Sequence, residues 1–233
     1  MDKKYNIIYC DPPWHMNAGA VPHNNGVHTG IEDQYSTMRQ DELMRLNIKA
    51  LAAGKCVLFM WTICSHLPDA IQLMKTWGFE YKTVGFVWVK ETRAGSLLSG
   101  LGYYTRIGSE FCLIGTRFKG NNLERINKGV PQLVFAPRTK HSEKPAIVRQ
   151  RIVELYGDLP RIELFSRHVV AGWDRHGSDI GDIHDFVGDV PLRNIKMQCD
   201  KCGDIFEFTM QEGDDFECPR CGQWYNSEGI YVG

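Results

Sequence analysis

Asp11-Pro12-Pro13-Trp14 sets a carboxylate, two rigid imino acids and an indole in consecutive positions. Neither proline has an N–H to give, and each fixes its own φ. Each also pushes the residue before it out of the α region. The stretch is therefore a stiff, extended corner presenting a carboxylate, free backbone carbonyls and an aromatic face. That set suits an exocyclic amine on a nucleobase, which has two N–H groups and a lone pair delocalised into the ring. Two acceptors aimed at those hydrogens, the Asp11 carboxylate and the Pro12 carbonyl, favour the tetrahedral amine and free its lone pair for attack. Trp14 offers a face for the base to stack on, worth about 1–3 kcal/mol per base. The same four residues could also do no more than end a strand and bury an indole.

A second cluster carries different chemistry. Cys199-x2-Cys202 is followed, after fifteen residues, by Cys218-x2-Cys221, the spacing of a zinc ribbon. Gly203 and Gly222, one after each pair, suit the tight turns that bend backbone around thiolates. Ile205-Phe206-Glu207-Phe208-Thr209 alternates like a strand between them. Four thiolate ligands leave no open position on the metal, so such a zinc is structural. So small a segment needs its metal in order to fold. A pair of redox dithiols is the competing reading. Residues 193–233 hold four basic and eight acidic residues, which favours a protein contact, or a cap on the rest of the chain, over a phosphate-gripping module.

The elements around these clusters follow from hydrophobic patterning. Tyr5–Cys10 is a short apolar run without helical spacing, read as a buried strand that delivers the corner at its carboxyl end. Ligands in open α/β sheets bind there. His15 to about Ser36 is polar and reads as a long loop, placed to act as an active-site loop that orders on substrate binding. Its three histidines fit no standard metal spacing. Residues 40–53 have helical spacing with acids in the first turn, ended by Gly54. Cys56–Trp61 is continuously apolar, as in a strand buried on both faces. Residues 66–77 predict a helix, Phe79 to Lys90 one strand or a bent pair, and Arg93 to Gly108 a loop. Phe111–Gly115 and Gln132–Phe135 predict strands, Glu143–Tyr156 a helix with Lys144 and Pro145 in its first turn, and Arg161–Phe165 a strand. Strands alternating with helices argue an α/β fold of Rossmann-like type: a mostly parallel sheet with helices on both faces. The expected division is residues 1–190 for that body and 191–233 for the zinc ribbon.

Composition sets further bounds. The chain has 233 residues and a formal net charge of −1, so it does not grip nucleic acid by bulk charge; a local basic patch or a partner must help. Arg93, Arg106, Arg117, Lys119, Arg125, Lys128, Arg138 and Lys140 supply such a patch if they share a rim. No apolar run is long enough to span a membrane, and the amino terminus enters a strand at once, leaving no room for a signal peptide. A cytoplasmic protein is expected. Cys10, Cys56, Cys64 and Cys112 then read as buried thiols, not a disulfide framework.

Taken in order, these pieces resemble the permuted adenine-N6 methyltransferases, whose eukaryotic members include the catalytic subunit of the messenger-RNA adenosine methyltransferase. The resemblance rests on Ile7–Trp14, Gln34–Met38, Leu58–Thr62, Trp77–Phe79, Val87–Lys90, Gly100–Arg106 with Glu110, His141–Pro145, Glu163–Arg167 and Gly172-Trp173, and spans roughly residues 5–182. It implies S-adenosylmethionine as methyl donor and a nucleic acid with a target adenine as substrate, DNA favoured over RNA. Asp11, Pro12, Pro13 and Trp14 are implied as the catalytic corner. Asp11, Lys144, Phe165, Arg167, His168, Ser178 and Asp179 are implied at the donor, with Lys144 meeting its carboxylate. Trp14, Tyr35, Tyr103, Tyr104 and Arg106 are implied at the substrate. Two positions depart from the family pattern: Ser166 stands where Gly is usual, and Ser178 where Asn is.

A catalytically inactive, nucleic-acid-binding subunit is a second reading, opposed by the intact corner. A protein-glutamine methyltransferase is a third, opposed by Asp in place of Asn and by the Trp. A homodimer or a partner subunit is left open.

Overall fold

The computed structural model describes residues 3–15, 37–102, 104–117, 123–138, 143–166 and 168–231. Tyr35, Tyr103, Arg167, Lys119, Lys140 and nearly all of the expected 15–36 loop lie outside them.

Seven strands form one sheet: β1 (Tyr5–Cys10), β2 (Ala52–Thr62), β3 (Phe79–Glu91), β4 (Ser109–Arg117), β5 (Leu133–Pro137), β6 (Arg161–Leu164) and β7 (Asp174–His176). Their order is β5-β3-β4-β2-β1-β6-β7. Every pairing is parallel except those of β4, which runs against both β2 and β3. The chain leaves β1 toward β2 on one side and returns to β6 on the other, so the carboxyl end of β1 is a topological switch point.

Period-2 alternation in β1 and β2 sends side chains to two cores. Ile8, Cys10, Leu58 and Met60 pack with helices α1 (Gln40–Arg45), α2 (Leu67–Thr76) and α4 (Ile183–Val187). Ile7, Tyr9, Val57, Phe59 and Trp61 pack on the other face with α3 (Ile147–Tyr156). The fold is thus mixed α/β with helices on both faces of a mostly parallel sheet, as the patterning predicts. Burial pushes the thiols of Cys10 and Cys112 well up and that of Cys56 to about 12. Cys64, expected buried, is exposed, because it opens a 3₁₀ turn beyond the end of β2.

Two expected helices are shorter than predicted. The 40–53 helix ends at Arg45; a 3₁₀ turn covers Ile48–Leu51, and β2 already begins at Ala52. Backbone outside the helix captures these residues: Asn47 N–H donates to Gly188 O, and Arg45 O accepts from Val190 N–H. α3 begins at Ile147, not at Glu143, since Pro145 keeps Lys144 out of the α region. β3 is one strand, with its register shifted between Tyr81 and Thr83 and again, at Gly85, between Val84 and Phe86. A Cβ at Gly85 would lie 2.5 Å from Ile114.

The remaining strands form two small sheets, β8 (Leu192–Gln198) with β9 (Ile205–Gln211), and β10 (Phe216–Glu217) with β11 (Trp224–Tyr225). They share their own apolar cluster around Phe206, Phe216 and Tyr225. This unit docks where α1 ends and β2 begins, at the opposite end of the sheet from Asp11. The fully buried Gln211 donates to Met44 O and Leu46 O, each at 2.9 Å. Lys49 pairs with Asp214, and Lys75 lies 4.8 Å over the Phe208 ring. Gln211→Ala would strand the Met44 carbonyl, while Leu46 O keeps the Ile48 N–H at 2.8 Å, and is expected to lower stability by about 1–2 kcal/mol, read as a lower urea midpoint with unchanged slope.

Candidate active site

The residues of the site gather at the end of the sheet where β1 and β6 finish. β1 delivers Asp11, and the corner behind it is fixed by backbone bonds. Trp14 N–H donates to Pro12 O at 2.9 Å, Met38 N–H to Pro13 O at 2.8 Å, and His15 N–H to Met38 O at 3.1 Å. The carbonyls expected to be free therefore each hold one donor. A carbonyl has a second lone pair, so Pro12 O keeps acceptor capacity.

Lys144 reaches this corner because Pro145 holds it outside α3. Its Nζ lies 2.6 Å from Asp11 Oδ2 and 3.2 Å from Glu110 Oε2. Glu110, at the start of β4, also takes Lys90 Nζ from the end of β3 at 2.6 Å. Lys90, Glu110, Lys144 and Asp11 form one row of alternating charge. The Trp61 ring lies 5.7 Å beneath the Lys144 ammonium, and its Nε1–H is held by Tyr9 Oη at 2.6 Å. Burial opposes the charge on Lys144, but Asp11 and Glu110 outweigh it and hold its pKa above the ordinary lysine value. Burial likewise opposes the Glu110 carboxylate, and Lys144 with Lys90 pulls its pKa below the usual range.

A lowered carboxylate pKa gives stability that is present above the ordinary carboxylate range and lost as pH falls through the lowered value. Glu110→Ala would leave Lys144 with Asp11 alone and take the carboxylate from Lys90, and is expected to cost roughly 3–5 kcal/mol at neutral pH. The gap to wild type should narrow under acid, as read from urea titrations across pH.

Trp14 is held on one side by His66, with ring centres 5.7 Å apart and planes within 9°, and its Nε1–H donates to Trp61 O at 3.2 Å. A cavity of about 230 Å³ opens beside this pair, lined also by Met38, Arg39 and Gln40.

The other expected donor residues follow β6 and β7 at the same end of the sheet. Phe165 has φ +58, a left-handed backbone uncommon for a non-glycine and often kept at functional sites. Ser166 N–H donates to His176 O at 2.9 Å, so close to Gly177 that a Cβ there would lie 1.8 Å from Ser166 O. His168 Nε2 is 3.5 Å from Glu143 Oε1. Ser178 is exposed in the turn after β7, and Asp179 is bidentate with Arg175, at 2.9 and 2.8 Å. Tyr104 and Arg106 are exposed on the β3–β4 connection. Arg93 and Arg138 share that end. Arg117, expected on the same rim, lies at the other end, opposite Phe79, because β4 runs antiparallel. Arg125 and Lys128 line a separate cavity with Lys82 and Tyr156.

Sequence reading gave no role to Glu110, Lys90 or His66. Alternation offers a signal for the first: Glu110 shares a strand face with the buried Cys112, so it points inward.

The four tail cysteines converge. Their ligand atoms lie within 4.8 Å of one another, and Cys199–Cys221 and Cys202–Cys218 are each 3.7 Å apart, sulfur to sulfur. Zn–S bonds of about 2.3 Å in a tetrahedron require S···S of about 3.8 Å, so the donor set fits. Gly203 (φ +74) and Gly222 (φ +70) turn their N–H groups back to Cys199 O and Cys218 O. The Tyr225 hydroxyl lies 3.2 Å from Cys199 Sγ.

A family model described as MT-A70 matches residues 5–179. The chain is 36% identical over 194 residues to the type II methyltransferase M.MunI of a Mycoplasma species, covering 77% of this chain and 79% of that protein. It is 27% identical over 195 residues to METTL3, the human N(6)-adenosine-methyltransferase catalytic subunit, covering 82% of this chain and 30% of that protein. It is 25% identical over 185 residues to the MT-A70-like N(6)-adenosine-methyltransferase of Drosophila melanogaster, covering 77% and 28%. The match thus takes in less than a third of these two animal relatives.

Proposed function

The chain belongs to the MT-A70 family and is an adenine-N6 methyltransferase; on that premise we propose that it moves a methyl group from S-adenosylmethionine to the N6 amine of adenine in DNA. The observation that carries this reading is the Asp11 carboxylate, pinned by Lys144 at 2.6 Å on the switch point of the sheet.

S-adenosylmethionine supplies a methyl group on a sulfonium. The chain's part is positioning and electrostatics. Lys144 fixes the Asp11 carboxylate in one orientation, so that it and the Pro12 carbonyl accept the two amine hydrogens and turn the lone pair outward. Asp11 need not be a strong base, since the proton can leave after transfer. The strained turn at Phe165-Ser166, with His168, Ser178 and Asp179 at the ends of β6 and β7, supports a donor site beside the corner; Lys144 and Arg167 complete the expected set. Trp14, braced by His66, would stack on the base, with Tyr35, Tyr103, Tyr104 and Arg106 contributing to substrate contact.

Rossmann-like topology, a body of residues 1–190 and a zinc ribbon of residues 191–233 belong to the same proposal. The separate apolar cluster and the 3.7 Å sulfur spacings support a structural zinc. The tail's docking on α1 and β2 supports a role toward the body of the enzyme over phosphate gripping. DNA is favoured over RNA on the similarity to the Mycoplasma type II methyltransferase over most of both chains. That relative also supports the cytoplasm as the place of action. Among the described residues no helix is long and apolar enough to cross a membrane.

The test is methyl-labelled S-adenosylmethionine with matched DNA and RNA pools, followed by digestion to nucleosides. N6-methyladenine is expected from the DNA pool. Donor binding without label in either pool would overturn the reading.

A further inference from the structure

The connection from β3 to β4, residues 92–108, is described except for Tyr103 and turns apolar side chains to water. Its backbone is stitched together. Leu98 N–H donates to Lys90 O, Lys90 N–H to Gly108 O, and Gly100 and Ile107 exchange both bonds, all at 2.8–3.0 Å. Close packing demands its glycines: a Cβ at Gly102 would meet Thr105 O at 2.4 Å, and one at Gly108 would meet Leu98 O at 2.8 Å. Yet Leu97, Leu101 and Tyr104 are 70%, 88% and 102% exposed. The core therefore does not account for them.

Charge narrows what would cover them. Residues 92–108 contain Arg93 and Arg106 and neither Asp nor Glu, and both arginines are exposed. The root of the arm is Lys90 and Glu110, members of the charged row that ends on Asp11. An apolar tip flanked by cations, rooted in the site, fits a polyanion with an apolar interior: the base stack of a duplex. An adenine inside a duplex cannot reach Asp11 until it leaves the stack, at a cost of a few kcal/mol. Apolar side chains that enter between base steps offset that cost, while arginines hold the phosphates.

We infer that this arm opens duplex DNA, Leu97 and Leu101 entering the stack as the target adenine leaves it. The inference rests on the adenine methyltransferase reading. Its test compares wild type with the double variant Leu97→Ser/Leu101→Ser on three forms of one random-sequence oligonucleotide pool: single strands, perfect duplexes made by primer extension, and mismatched duplexes made by melting and rapid re-annealing. The variant is expected to lose at least about tenfold on perfect duplexes, to stay within about twofold of wild type on single strands, and to recover part of the loss on mismatched duplexes, where opening is cheaper. Equal loss on all three forms, or no loss on perfect duplexes, would overturn it. So would wild type sedimenting as a dimer that the variant breaks with loss on every form, because the arm would then serve a second copy of the chain. Wild type inactive on all three forms would instead remove the methyltransferase reading beneath it.

Discussion

Asp11→Ala is expected to lower methyl transfer by at least about 10²–10³-fold, the loss that follows removal of one preorganised group from a site that works by electrostatic positioning. The fold should tolerate the change. Asp11 lies at the end of β1, beyond the ladder, and Lys144 keeps Glu110 at 3.2 Å as its partner. Zinc content should equal that of wild type, because the cysteine cluster lies at the far end of the sheet. Turnover on a DNA pool, metal analysis and a melting curve on the same preparation separate a catalytic loss from an unfolded protein. Transfer at the wild-type rate would remove Asp11 from the mechanism.

Cys218→Ser is expected to have the largest effect on stability. Cys218 is buried, and its sulfur lies 3.7 Å from that of Cys202. Structural zinc sites of this kind bind with about 10–16 kcal/mol of apparent free energy, which is also folding free energy. Without the metal, the few apolar residues around Phe206 and Phe216 do not hold two two-stranded sheets together. Residues 191–233 should then unfold while the seven-stranded sheet persists. Limited proteolysis should cut the variant after about residue 190 and leave wild type whole, and the same cut should appear in wild type treated with a strong chelator. The body would also lose the Gln211 contacts to Met44 and Leu46, so its own melting point should fall. A variant that keeps full zinc and resists protease would sink the metal assignment.

Where the chain keeps its partners close in sequence, the fold could be read before it was seen. β1, the corner after it, α2, β6 and the cysteine turns are of this kind: a few neighbouring residues with one period, or one pair of prolines, decide them. What could not be read depends on distant backbone. Leu46 to Leu51 has apolar spacing that suits a helix, but Gly188 and Val190, more than a hundred residues later, take the backbone bonds that a helix would use. Arg117 could be put on the active-site rim only by assuming the direction of β4, which the local pattern of β4 does not contain. The Glu110–Lys144 pair is hidden for the same reason. Each residue alone is an ordinary charge near a strand or helix end, and only the antiparallel insertion of β4 between β2 and β3 brings the two together. The carboxylate of the corner was legible, and resemblance put Lys144 at the donor; the contact of Lys144 with Asp11 was not legible.

The row Lys90–Glu110–Lys144–Asp11 carries two positive and two negative charges, and three of its four side chains are less than a fifth exposed. Its net charge is zero, and dissolved ions have little access to most of it. On the proposed reading, in which Arg93 and Arg106 hold phosphates, salt that weakens their grip leaves the row itself nearly unscreened. Ionic strength is therefore expected to act on how tightly the nucleic acid is held and hardly on how fast a bound adenine is methylated: the apparent KM should rise with salt while kcat stays level.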